Sequence, residues 1–243
     1  MARFVLIHGA FSGAWVWEPL IKELEAAGHT AEALDLPGSC DDSTPIEEVT
    51  LDQCADRICA ALAAGEEPAI LVASSGGGIA ATQAAARYSE RVASLIYVGS
   101  FIPQDGQSLI GLTELPEGEG DQVQANMVVE GDPPVGRMPA DAARKYVYED
   151  SSDEVAAWAI ERETPQALAP FTEPVSIPEG ALDDVPRGYV LTKRDKCIPP
   201  ALQRRMIEEA CCEQVIELDT DHIPQLSATA ELAEALDRLA VRV

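Results

Sequence analysis

The run Ala69-Ile70-Leu71-Val72-Ala73-Ser74-Ser75-Gly76-Gly77-Gly78-Ile79-Ala80 constrains the fold more than any other stretch of the chain. A short, fully apolar strand breaks at a serine and passes without a loop into an Ala-rich helix that the pattern carries to about Arg87. A strand that turns directly into a helix needs small residues on both flanks, and Ala73 and Gly77 stand two positions either side of Ser75. This is the spacing of a nucleophile elbow, G-x-S-x-G with Ala in place of the first Gly. It lifts the serine Oγ off the sheet and sets it at the positive end of a helix. Ser74 is the rival, but its flank Val72 is bulky. Two other readings of the turn are a phosphate cradle and tight helix-on-sheet packing. The phosphate loop needs Lys then Ser or Thr after its last Gly, and Ile79-Ala80 follow instead.

The flanking chain alternates strands and helices. Phe4-Val5-Leu6-Ile7 predicts a strand, Trp17 to Ala27 a helix closed by Gly28, Ala31-Leu34 a second strand, and Leu51 to Ala64 a helix stopped by Gly65. Further strands are expected at Val92-Val98, Gly188-Thr192 and Gln214-Leu218, with helices at about Pro199-Ala210 and Thr229-Leu239. The order predicts a doubly wound, mainly parallel sheet covered on both faces, with ligands at the C-terminal strand edge. From Pro103 to Pro186 the pattern loosens into Gly, Pro and acids, with helical patches near Asp141-Tyr148 and Asp153-Arg162. We read residues 1–102 and 187–243 as one core and 103–186 as an inserted lid. Met127, Val128, Val129, Tyr146, Tyr148, Trp158 and Phe171 give the insert apolar anchors, which argues against an acidic disordered segment.

A serine hydroxyl needs a base at the same edge. Of the three histidines, His29 begins an edge strand at the wrong end of the sheet, and His8 ends a buried strand where it is better suited to holding the next loop. His222, in the loop after the last strand, is the candidate base. Asp195 follows the strand ending at Thr192 and completes the chain order Ser, Asp, His; Asp219 and Asp184 are weaker alternatives. Asp221 adjoins His222, but successive side chains in an extended loop point apart. The expected oxyanion donors are the N–H groups of Gly76, at the helix start, and Ala10, in the loop from His8 to Ala14.

The formal net charge of -25 excludes nucleic acid as a natural partner and disfavours anionic substrates and anionic lipid surfaces. No apolar span approaches the ~20 residues that cross a bilayer, and Met1-Ala2-Arg3 lead straight into a strand, so a cytoplasmic protein is expected. Cys40, Cys54, Cys59, Cys197, Cys211 and Cys212 show neither metal-ligand spacing nor a disulfide framework, and no metal is expected.

Phe4-Val5-Leu6-Ile7-His8-Gly9-Ala10 with Gly13-Ala14-Trp15-Val16-Trp17, Asp35-Leu36-Pro37-Gly38, the elbow, Tyr189-Val190-Leu191-Thr192-Lys193-Arg194-Asp195-Lys196 with Ile198-Pro199, and Asp221-His222 resemble the methylesterase and hydroxynitrile lyase group of α/β-hydrolases. The resemblance implies the α/β-hydrolase fold, a Ser75-Asp195-His222 triad, Ala10 and Gly76 as oxyanion donors, no cofactor, and a small ester substrate under the lid. The Ala-rich, Lys-poor, acidic composition is unlike the plant members and implies a bacterial one. A homodimer is left open. The lyases of the group that use the conserved catalytic layout carry a Lys directly after the histidine and a Thr on the first loop, where this chain has Ile223 and Gly9. The expectation is therefore hydrolysis of a small neutral ester through an acyl-enzyme, with Gly9 leaving room over the oxyanion. The alternatives are a hydroxynitrile lyase and a non-catalytic binding protein on the same fold.

Overall fold

The computed structural model describes residues 1–240. In chain order, β1 (Arg3–Ile7), a 3₁₀ turn (Ala14–Trp17), α1 (Glu18–Ala26), β2 (Thr30–Leu34), α2 (Leu51–Ala64), β3 (Ala69–Ser75), α3 (Gly77–Arg87) and β4 (Val92–Ser100) build the first half of the core. There follow α4 (Leu109–Thr113), α5 (Gln122–Asn126), β5 (Val128–Glu130), β6 (Val135–Arg137), α6 (Ala140–Ala142), α7 (Asp153–Ile160), β7 (Gln166–Ala167) and α8 (Ala169–Thr172). The chain then returns to the core with β8 (Arg187–Thr192), α9 (Pro200–Glu209), β9 (Gln214–Leu218), α10 (Pro224–Ser227) and α11 (Thr229–Ala240).

β1, β2, β3, β4, β8 and β9 form one six-stranded sheet in the order β2-β1-β3-β4-β8-β9, every pair parallel. Successive side chains on a strand face opposite ways, and both faces are apolar because both are covered. Val5, Ile7, Leu71 and Tyr97 pack with Ile58 and Leu62 of α2 and Met206 of α9. Phe4, Leu6, Val72 and Val98 pack with Leu20 and Leu24 of α1 and Leu232 and Leu236 of α11. The uninterrupted runs FVLI and AILVA follow from this double burial.

The strand order reverses beside β1: β2 is added on one side, β3 and β4 on the other. The C-terminal ends of β1 and β3 therefore flank a topological switch point, where doubly wound sheets open a crevice. The loop after β1 and Ser75 both lie there.

The core elements follow the expected pattern, with shifts of one or two residues at their ends. The stretch 103–186 differs more. Alongside its short helices it holds a three-stranded antiparallel sheet, β5-β6-β7, that the sequence pattern did not predict. Strands of two or three residues are too short to display alternation, and on β5 the two valines stand side by side, both exposed. The patch expected near Asp141-Tyr148 is one α turn followed by a π-helical turn, Ala143–Val147. Among the described residues, no helix is long and apolar enough to cross a membrane.

Candidate active site

Ser75 ends β3 with a φ of 51°, the left-handed region that an L residue enters only at a cost of ~1–2 kcal/mol. Three contacts hold it there. The ladder to β4 shifts register between Ser74 and Ser75. Ser100 Oγ and the Phe101 N–H donate to the Ser75 carbonyl at 2.6 and 3.1 Å, and Ser100 is itself clamped by the Tyr189 hydroxyl. On the far side of the turn, α3 approaches β1 so closely that a Cβ on Gly77 would run into the carbonyl oxygen of His8. The small residue after the serine is thus required by the packing of the helix against the neighbouring strand end.

His222 sits in the loop between β9 and α10, 4% exposed. Its Nε2 lies 3.0 Å from Ser75 Oγ and its Nδ1 2.8 Å from Asp195 Oδ2. Asp195 has every lone-pair direction occupied: the Cys197 and Ile198 N–H groups donate to Oδ1 at 2.8 and 2.9 Å, and the Thr192 hydroxyl donates to Oδ2 at 2.8 Å beside the histidine. Gln203 braces this corner, its amide donating to the carbonyl and hydroxyl of Thr192 and to the carbonyl of Ile198. With Asp195 accepting at Nδ1, the proton sits on that nitrogen and Nε2 presents a lone pair to the serine. Burial disfavours the charged imidazole, but Asp195, by its charge and hydrogen bond, together with the charges of Asp221 and Asp121, outweighs it and raises the His222 pKa.

The rival residues are accounted for. Ser74 is buried within β3. His29 Nε2 pairs with Asp237 at 2.9 Å on the far edge strand. His8 accepts from the Leu36 N–H at Nε2 and bonds the Gly9 carbonyl through Nδ1, and burial lowers its pKa, so it is a neutral loop brace. Asp219 is tied to Arg194. Asp221 points away from the imidazole. It accepts from the Asp150 N–H, the Ile223 N–H and the Ser227 hydroxyl, while Asp150 Oδ2 accepts in return from the Asp221 N–H at 2.9 Å.

Gly76 caps α3 and Ala10 lies in the loop after β1. Among the described residues neither N–H donates to a protein acceptor, and both residues line the cavity above Ser75. Gly9 departs from expectation: a Cβ built on it would lie 2.6 Å from the Cβ of Ser75. The room it leaves is occupied by the serine itself rather than by space over the oxyanion position.

The cavity encloses about 800 Å³ including its mouth. Its floor is Ser75, Gly76, His222 and the loop after β1, and its roof comes from the stretch 103–186, with Leu109, Met127, Tyr148 and Phe171 among the lining residues. Two acids in this wall, Asp121 and Glu163, were not singled out from the sequence. Asp121 is the N-cap of α5, and the pattern Asp-x-x-Gln could have flagged a cap but not a cavity wall. Burial pushes the Asp121 carboxyl up to about 6 and that of Glu163 up to about 7. As a metal site, the cluster of Asp195, Cys197 and His222, with ligand atoms within 4.8 Å, is poorly suited. Its oxygens and nitrogens already satisfy one another, and burial raises the Cys197 thiol away from the thiolate that a metal needs.

Residues 4–235 match the profile of the Alpha/beta hydrolase family. Methylesterase 7 of Arabidopsis thaliana is 31% identical over 250 residues, covering 98% of this chain and 96% of that protein. The Alpha-hydroxynitrile lyase of the same plant is 29% identical over 249 residues, covering 98% and 96%. Among solved structures, polyneuridine aldehyde esterase superposes with a TM-score of 0.88 at 23% identity over 99% of each chain. An Arabidopsis methylesterase does so with 0.86 at 26% identity over the whole of both chains. The chain belongs to the α/β-hydrolase family. Within it, the relatives put it among the methylesterases and hydroxynitrile lyase, as an enzyme of hydrolase type.

Proposed function

We propose that the chain is a serine-dependent carboxylic ester hydrolase. The observation that carries this is the continuous hydrogen-bonded line Ser75 Oγ, His222 Nε2, His222 Nδ1, Asp195 Oδ2, at 3.0 and 2.8 Å, set at the N-terminus of α3. In this reading Ser75 Oγ attacks the ester carbonyl carbon as its proton passes to Nε2, and Asp195 holds the tautomer and balances the imidazolium. The oxyanion forms against the Gly76 and Ala10 N–H groups, which have no protein acceptor to give up. The imidazolium protonates the departing alkoxide, leaving an acyl-enzyme; water, deprotonated by the same nitrogen, then releases the acid. No cofactor enters these steps. Residues 103–186 act as the lid that encloses a small substrate.

The lyase relative makes cyanohydrin cleavage the competing reading. It requires a cation for the leaving cyanide, and the residue after His222 is Ile223, buried and apolar. The two carboxyl groups of the wall, Asp121 and Glu163, would repel cyanide when ionised.

The test is Ser75→Ala with a nitrophenyl ester and a fluorophosphonate label. Loss of turnover by ~10³–10⁶-fold and of labelling, with an unchanged circular dichroism spectrum, is expected. Wild-type turnover by the variant would refute the assignment. An unlabelled wild-type Ser75 that binds ligand without turnover would favour the binding-protein alternative.

A further inference from the structure

Asp121 and Glu163 reach the cavity from separate segments. Asp121 sits where the Gln122 N–H donates to the Lys196 carbonyl, beside the loop that carries Asp195. Glu163 precedes Thr164, whose N–H donates to the carbonyl of Phe11 in the loop after β1. Asp121 is 8% exposed; its Oδ1 accepts from the Val123 and Gln124 N–H groups, and its Oδ2 has no hydrogen-bond partner among the described residues. Among the described residues, the Glu163 carboxyl accepts from the Tyr148 hydroxyl alone, at 2.9 Å.

Buried carboxylates are ordinarily paired with a cation, yet among the described residues no Lys or Arg lines this cavity. The basic residues beside these two segments are engaged elsewhere: Lys196 Nζ pairs with Glu149 at 2.7 Å, and Arg162 lies over the Trp158 ring and donates to its carbonyl. Among the described residues, the one ionisable nitrogen in the wall belongs to His222, which must be neutral to act as a base. Phe11, Phe101, Tyr148 and Phe171 supply aromatic rings to the same cavity, and such rings attract organic cations.

We propose that the cavity selects esters carrying a protonated amine or quaternary ammonium group, held between Asp121 and Glu163 against these aromatic rings. The proposal rests on the ester-hydrolase reading and deepens it: the neutral ester expected from the sequence becomes a cationic one. Burial raises both carboxyls, as it must where no fixed cation compensates, and a bound ammonium supplies the missing charge. Hydrolysis then releases an acid into an acidic pocket, which favours departure of the product.

The test compares matched ester pairs at a pH of about 8, above both carboxyls. One pair is a choline ester and its 3,3-dimethylbutyl isostere, with carbon for nitrogen. The other is methyl 4-(trimethylammonio)butyrate and methyl 5,5-dimethylhexanoate, which moves the charge to the acyl side. A hemisuccinate monoester is the anionic control. In at least one pair, kcat/KM is expected to favour the cation by ~10-fold or more, with the anion slowest. Asp121→Asn and Glu163→Gln should each draw that ratio toward one, every variant being normalised to its own neutral ester. In Ser75→Ala, benzyltrimethylammonium should bind measurably by calorimetry and lose affinity when either acid is neutralised. Turnover of neutral esters at or above the rate of both cationic partners, or a ratio that neither substitution moves, would overturn the proposal. If no ester of any charge is hydrolysed while benzyltrimethylammonium still binds in an acid-dependent way, the cation site stands and the ester-hydrolase reading fails.

Discussion

Gly9 and Ser75 approach so closely that a Cβ on the glycine would lie 2.6 Å from the Cβ of the serine. Ser75 ends β3 and Gly9 lies two residues past the end of β1, so neither has much room to yield. Gly9→Ala should push Ser75 Oγ off the His222 line and cost ~10²-fold in kcat, with ~1–3 kcal/mol of overpacking. Steady-state kinetics with a denaturant titration would check this. Retained kcat would mean that the loop after β1 moves instead.

The two aspartates near His222 should behave oppositely. Asp195→Asn removes the Nδ1 acceptor that fixes the tautomer, and a fall of ~10⁴-fold in kcat is expected. Asp221→Asn should cost less than about 10-fold in kcat but lower stability by ~1–3 kcal/mol, because an amide facing the Asp150 N–H leaves buried donors opposed. Both variants are scored by initial rates and thermal unfolding.

The acid limb of the activity profile follows from the imidazole. In the proposed mechanism His222 must be neutral to accept the serine proton, and its pKa is raised, so kcat/KM should fall as pH drops through a value above the ordinary ~6.5 of histidine. Asp121→Asn removes one of the charges that raise it and should move the limb to lower pH. A limb that stays in place would show that Asp121 is too well screened to matter.

Folding stability should fall across the neutral range. Asp121 and Glu163 have folded pKa values of about 6 and about 7, above those of an unfolded chain. The advantage of their neutral forms is full below the unfolded values and is lost as pH rises through about 6 and about 7. Each contributes on the order of 3 kcal/mol to that loss. Glu163→Gln should flatten the upper part of the decline in denaturant midpoints measured between about pH 4 and pH 8. An unchanged slope would mean that the carboxyl is hydrated in solution.

Mandelonitrile should not be cleaved usefully. With Ile223 after the histidine and acids in the wall, departing cyanide meets no fixed Lys or Arg among the described residues, a deficit of several kcal/mol in a dry cavity. Cyanide release above background, at a rate near ester turnover and abolished by Ser75→Ala, would restore the lyase reading.

Much of this was legible in the chain because the core elements are double-faced. FVLI and AILVA announce strands buried on both sides, and a serine between Ala73 and Gly77 announces the turn. Chain order alone then placed His222 and Asp195 at the edge that carries Ser75. What could not be read were the groups whose role depends on the insert. Asp121 looks like any helix cap, and Glu163 like one more acid in a run of them, until the fold turns both toward one void. The supports of Asp195 were hidden for another reason. Thr192 reads as the end of a strand until the turn after β8 sets its hydroxyl on the carboxylate, and Gln203 as a polar residue on a helix until the return of α9 brings its amide there.

The reciprocal bonds between Asp150 and Asp221 bear on engineering this scaffold. They join the loop that carries the imidazole to a residue of the stretch 103–186, with each backbone N–H served by the other's carboxylate. That stretch is therefore not a detachable module. A transplant of residues 103–186 from another member would replace the roof and also remove the outer anchor of His222. To keep that anchor, a chimera must carry a carboxylate and a free N–H at the position of Asp150, whatever pocket it brings.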